Sequence, residues 1–182
     1  VTGAADAAEG MAEGAVGDWA WLERACLGEA LPAAAEQHLR QAGQSALDPA
    51  EAEKQLQQAL AAAPRHVAVY IACYRYYFYR GRIAEALPYA ELCLGAAADI
   101  LGLSREWRKV DAGGADFGDF NAYATRFYLF SLKAYGYLLM RLGRLDEGEA
   151  AMTQVMALDP ADRVGAAGLL AVSRRRGWED DD

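Results

Sequence analysis

The chain predicts an all-α fold of antiparallel helical hairpins, about 7 to 9 helices in succession, on three observations. Apolar residues return at helical spacing in one segment after another. Helix starts and stops are strongly punctuated, as at Asp48-Pro49-Ala50-Glu51, Gly81-Arg82 and Gly143-Arg144. A turn and the helix start behind it occur twice: Gly81-Arg82-Ile83-Ala84-Glu85-Ala86 aligns with Gly143-Arg144-Leu145-Asp146-Glu147-Gly148.

In order along the chain, residues 1–17 are small and acidic, with almost no side chain able to fill a core, and predict a flexible arm. The ordered domain is expected over 18–177. Trp19, Leu22, Cys26 and Leu27 start a first helix, which Gly28 and Pro32 separate from a weaker one through Leu39. Asp48 is placed to cap the next helix, Pro49 has no N–H to lose at its first position, and the helix stops near Pro64. From Val67 to Arg80 apolar and aromatic residues lie nearly all round, which predicts a helix sandwiched between neighbours at the centre of the core.

Gly81-Arg82 turns the chain into a helix from Ile83 to about Leu103, with Pro88 tolerable in its first turns. Glycines and aspartates make residues 104–119 a long loop. Further helices are expected from about Asn121 to Leu142, from Arg144 to Ala157 and from Pro160 to about Arg175, before an acidic tail over 178–182.

Composition narrows the function classes. The chain has 182 residues, 54% of them hydrophobic, enough for one compact domain. A net charge of −8 and a pI near 4.8 disfavour nucleic acid and anionic membrane, and suit neutral or basic protein surfaces. Cys26, Cys73 and Cys93 lack the spacing of a disulfide framework or zinc site and predict a reducing compartment, the cytoplasm. No signal-peptide pattern and no apolar run of about 20 residues is present.

The recurring turn resembles that of the tetratricopeptide repeat family, where a small residue, here Ala86 or Gly148, lets two helices approach closely. Leu132, Tyr135, Gly136 and Leu139 resemble the family's first-helix signature, and Pro160 closes that unit. Tyr70, Cys73, Tyr74 and Tyr77 take the matching places in an earlier copy, in which Tyr74 departs from the family's small residue. Ala52, Ala59 and Pro64 resemble the second half of a still earlier unit. The resemblance covers Pro49 to Arg175 and implies a right-handed superhelix of α-α hairpins. The turn glycines lie about 62 residues apart against a family period of roughly 34, so roughly 28 residues are inserted, over about 95–122. About 10 extra residues in each flanking helix would lengthen that hairpin by about 15 Å, with the 104–119 loop crowning the projection.

The resemblance also implies a groove lined by the first helix of each unit. Ala68, Ile71, Arg75, Phe78 and Tyr79 map to it from one unit, and Phe130, Lys133, Tyr137 and Met140 from the next, with Arg126 and Tyr123 upstream. Cations among aromatics suit a peptide with carboxylate and apolar groups. The alternative is that these aromatics are core and that Arg75 and Lys133 carry their heads outward. Ile71 and Arg75 stand where the family's peptide-carboxylate clamp wants Lys and Asn, so recognition of a C-terminal peptide in that manner is not implied. Trp107, Arg108, Lys109 and Phe117 form a second candidate contact on the loop, set against the reading that Trp107 folds back as a latch.

Catalytic and metal-binding patterns are missing. His38 and His66 have no partners at ligand spacing. Asp111, Asp116 and Asp119 read as turn caps, since an EF-hand needs denser ligands. Gly113-Gly114 lacks the Lys-Ser/Thr of a phosphate loop. Cys73 and Cys93 read as small buried hydrophobes. The expectation is therefore a non-catalytic protein-binding module without cofactor or metal, an adaptor or chaperone-like accessory factor. A homo-oligomer built on the aromatic face and a helical small-molecule sensor are the alternatives.

Overall fold

A computed structural model describes residues 30–45 and 47–179 of the chain, with side chains to residue 175. The arm over 1–17, the helix expected from Trp19, Cys26 and the last residues of the acidic tail lie outside the described residues. The described residues are all-helical, without a strand: α1 (Ala33–Gln44), α2 (Pro49–Ala62), α3 (Val67–Tyr79), α4 (Ile83–Leu101), α5 (Tyr123–Arg141), α6 (Leu145–Leu158) and α7 (Ala166–Glu179), plus a 3-10 turn at Trp107–Lys109. They fall into two compact units that divide within α4, at Leu92 and Cys93.

In the first unit α1 and α2 pair as a hairpin, burying Ala35, Leu39 and Ala42 on one helix and Ala52, Leu56 and Ala59 on the other. The Asp48 carboxylate accepts from Glu51 N at 3.2 Å, with Pro49 at the first helical position, so α2 begins where the sequence predicts. His38 Nδ1 donates to Gln55 Oε1 across this hairpin at 2.7 Å. Helix α3 packs on both α1 and α2. Its Val67, Ala68, Val69, Tyr70, Ile71, Cys73, Tyr74 and Tyr77 are buried, which leaves few turns of this helix with a solvent face. The phenols that reach its ends find backbone acceptors: Tyr70 Oη donates to Pro64 O at 2.8 Å and Tyr76 Oη to Pro49 O at 3.0 Å. Tyr77 stacks on Tyr89 of α4 with ring centroids 5.7 Å apart.

The same stop ends three helices. Gly81, Gly102 and Gly143 adopt φ of 71°, 66° and 78°, the left-handed region that glycine enters without a Cβ clash. In each case the next residue's N–H returns to a carbonyl in the last turn, Arg82 to Tyr77, Leu103 to Ala98 and Arg144 to Leu139, satisfying groups that a helix end leaves open.

The second unit holds the tightest packing. Helices α5 and α6 form a hairpin that crosses at Gly136 and Gly148. A Cβ at Gly136 would stand 2.9 Å from Ala151 Cβ, and one at Gly148 would stand 2.8 Å from Gly136 O. Only glycine allows this backbone approach. Helix α7 packs on α6 and touches α5.

Helices α4 and α5 each have 19 residues, five to seven more than α1, α2, α3 or α6. The loop between them does not crown a projection. Trp107, Val110 and Phe117 are buried, Phe117 against the Tyr128 ring of α5 at 5.8 Å, and Gln154 of α6 donates to Val110 O. Three apolar anchors in so short a stretch bury too much surface to stand in water, so the loop folds down onto the second unit.

Candidate functional site

The residues expected to line a groove meet different fates in the two units. In the first, Ile71 is core. Arg75, Phe78 and Tyr79 form a cluster at the C-terminal end of α3, with Arg75 and Phe78 half-buried. Tyr79 is 54% exposed. Phe78 stacks on the buried Tyr74 with centroids 5.4 Å apart and meets Tyr79 edge-on at 5.7 Å. The Arg75 guanidinium lies 5.8 Å from the Tyr79 ring centroid. Burial lowers the Arg75 pKa from its usual value, the adjacent Tyr79 and Tyr74 working the other way. On the neighbouring face Arg80 covers the Tyr76 ring at 4.1 Å. Sequence reasoning passed over Tyr76 and Arg80; their spacing of four residues is the signal for such a pair.

In the second unit the expected groove face of α5 is largely used inside the fold. Lys133 is 2% exposed, and its Nζ donates to Val164 O. Tyr137 is buried and accepts from Arg141 Nη1 at 2.9 Å. Met140 lies over Gly148 in the α5–α6 hairpin. These three are corrections to the groove reading. For Lys133 the cause is the connection between α6 and α7, which supplies a carbonyl that Lys133 reaches with its whole stem, while Met140 is taken up at the crossing with α6. Arg126 and Phe130 stay half-buried: Arg126 donates to Phe120 O at 3.1 Å between the Phe120 and Tyr123 rings, and Phe130 sits 6.3 Å from Phe120.

On the loop, Trp107 and Phe117 are anchors, which corrects their reading as contact residues. Arg108 stacks on the outer side of Trp107 at 4.2 Å, and exposed Lys109 pairs with Glu106 at 2.8 Å. Asp111, Asp116 and Asp119 each accept a backbone N–H two or three residues on, at 2.9 to 3.1 Å. Among the described residues no three His, Cys, Asp or Glu side chains gather as a metal would require. Cys73 and Cys93 are buried, and desolvation pushes the Cys73 thiol up to about 12.

Asp159 and Arg163 were not anticipated. Asp159 is fully buried at the end of α6, accepting from Val164 N at 3.0 Å and from Arg163 Nε at 3.1 Å. Arg163 then donates to Phe117 O and Gly118 O, each at 2.8 Å. An Asp closing a helix with an Arg four residues on was the available signal. Its target, two carbonyls about 45 positions earlier, leaves no mark in sequence.

The described residues thus define an all-α protein of packed helical hairpins, with an aromatic and cationic cluster exposed at the end of α3. No protein-family model matches the chain, and no solved structure matches it. The chain is similar to the uncharacterized 19.8 kDa protein in the nifW 5′ region of Azotobacter chroococcum mcd 1, at 38% identity over 122 residues, which make up 66% of this chain and 68% of that one. It belongs to the family of that protein. Among the described residues no helix is long and apolar enough to cross a membrane.

Proposed function

We propose that this protein is a cytoplasmic, non-catalytic protein-interaction module, an adaptor or chaperone-like accessory factor whose hairpins stack as a tetratricopeptide-type right-handed superhelix. The observation that carries the reading is the cluster at the end of α3. There a tyrosine more than half exposed adjoins a half-buried phenylalanine and arginine, an aromatic and cationic surface of the composition that interfaces favour. Tyr and Arg are the residue types that dominate binding energy at interfaces, and these two already lie against each other, with Tyr79 also edge-on to Phe78, which reduces the entropy lost on contact.

The partner surface this cluster fits is apolar, facing the exposed Tyr79 ring. The relative's name places its gene in the 5′ region of nifW, which makes the nifW product the first candidate to test. The experiment is affinity capture with the tagged chain from its own cells, beside Tyr79→Ala and Arg75→Glu variants. The reading expects a species held by the wild type and lost by both variants while helical circular dichroism is unchanged. Equal capture by all three refutes it.

A further inference from the structure

We propose that residues 104–122 are a strap that opens as one body and uncovers the Tyr128 phenol on α5. The segment is held together by itself. Asp111 takes the N–H of Gly113, Asp116 that of Asp119, and Asp119 that of Asn121, so its turns do not depend on the helices. A Cβ on Gly114 would stand 2.8 Å from Leu103 Cδ2, so the middle of the strap closes on its own base. That base adjoins Gly102, which ends α4 with a φ of 66°.

Its attachment to the rest of the second unit is different in kind. Arg105 pairs with Asp99 of α4 beside the base; farther out, four bonds from side chains reach the strap's carbonyls, Gln154 to Val110 O, Arg126 to Phe120 O, and Arg163 to Phe117 O and Gly118 O. Phe117, Trp107 and Val110 supply the apolar contacts. Arg163 is the clasp. It makes two of these four bonds, lies 4.8 Å from the Phe120 ring centroid, and is itself set by buried Asp159. Side-chain donors on backbone carbonyls can be exchanged for water without breaking a helix.

Beneath Phe117 the closed form carries a penalty. The Tyr128 ring is fully buried and its hydroxyl has no hydrogen-bond partner among the described residues. An unsatisfied buried hydroxyl favours any state in which it is hydrated or meets an acceptor. Opening the strap provides that state while α5, α6 and their glycine crossing stay intact. The strap is therefore a lid whose closed form is held by Arg163 and opposed by Tyr128, and a ligand carrying a hydrogen-bond acceptor would select the open form.

The test uses the full chain with Cys26→Ser and Val110→Cys, labelled by a maleimide and read by mass spectrometry at each thiol. Buried Cys93, in the same unit, reports global unfolding. The expected result is that position 110 labels at least about ten-fold faster than Cys93, and that Arg163→Met accelerates position 110 by about a further ten-fold without changing Cys93. Equal rates at the two thiols, or equal acceleration of both, overturns the proposal. Hydrogen exchange on the otherwise unaltered chain gives the second reading, should Val110→Cys not fold. Arg163→Met must then speed exchange in 104–122 and leave Leu129 to Leu139 unchanged; exchange of both segments together overturns it equally.

Discussion

Replacing Gly148 by alanine sets two magnitudes against each other. In the middle of α6 the change gains about 1 kcal/mol of helix propensity. The added Cβ, however, would stand 2.8 Å from Gly136 O and 3.0 Å from Met140 N, besides meeting the Met140 side chain. Met140 can change rotamer, but two backbone atoms of α5 cannot yield without moving the helices apart. Overpacking of that kind costs about 1–3 kcal/mol, so we predict a net loss of about 0–2 kcal/mol in place of the gain. Gly95 supplies the control: it lies inside α4 with nothing within 4 Å of an added Cβ. Gly95→Ala should gain about 0.5–1 kcal/mol. Urea unfolding followed by circular dichroism measures both. If Gly148→Ala stabilises the protein as much as Gly95→Ala, the close crossing of α5 and α6 is wrong.

Other outcomes follow from the buried polar groups. Asp159→Ala strips the acceptor from Val164 N and from Arg163 Nε and should lower stability by about 2–4 kcal/mol, measured as a drop in urea midpoint. Lys133→Met keeps the stem but leaves Val164 O without its lysine donor, and should cost about 1–3 kcal/mol by the same measurement, whereas an exposed groove lysine would be nearly neutral. Burial holds the Cys73 thiol and the Tyr77 and Tyr128 phenols up to about 12, above their ordinary values. The folded state therefore keeps protons that the unfolded state gives up. Stability from these groups is fully present below about pH 9, where the unfolded thiol begins to ionise, and is lost as pH rises toward 12. Urea midpoints across pH 7 to 11 check this, and Cys73→Ala should remove the earliest part of the decline.

Most of the fold was legible because its signals are local. Asp48 caps within three residues, Gly81 and Gly143 stop helices by their own φ, and the enveloping apolar pattern of Val67 to Tyr79 could only be a central helix. Gly148 was legible as a point of close approach because its partner helix lies just before it. The site was less legible, and Lys133 shows why. A lysine at helical spacing from aromatics reads as a surface cation; only a carbonyl 31 positions later, brought back by the α6–α7 connection, makes it an interior one. The loop misled for the same reason. Its glycines and aspartates announce turns, while the acceptors that tie it down are the carbonyls of Val110, Phe117, Gly118 and Phe120, which carry no side-chain identity.

The central claim, that the end of α3 is where this protein meets its partner, is tested most directly by a photo-crosslinking amino acid placed at Tyr79 in living cells. The same probe at exposed Thr153 of α6 serves as the comparison. A discrete crosslinked species from position 79 and none from position 153 is the predicted result. No product at 79, or the same products from both positions, would contradict it.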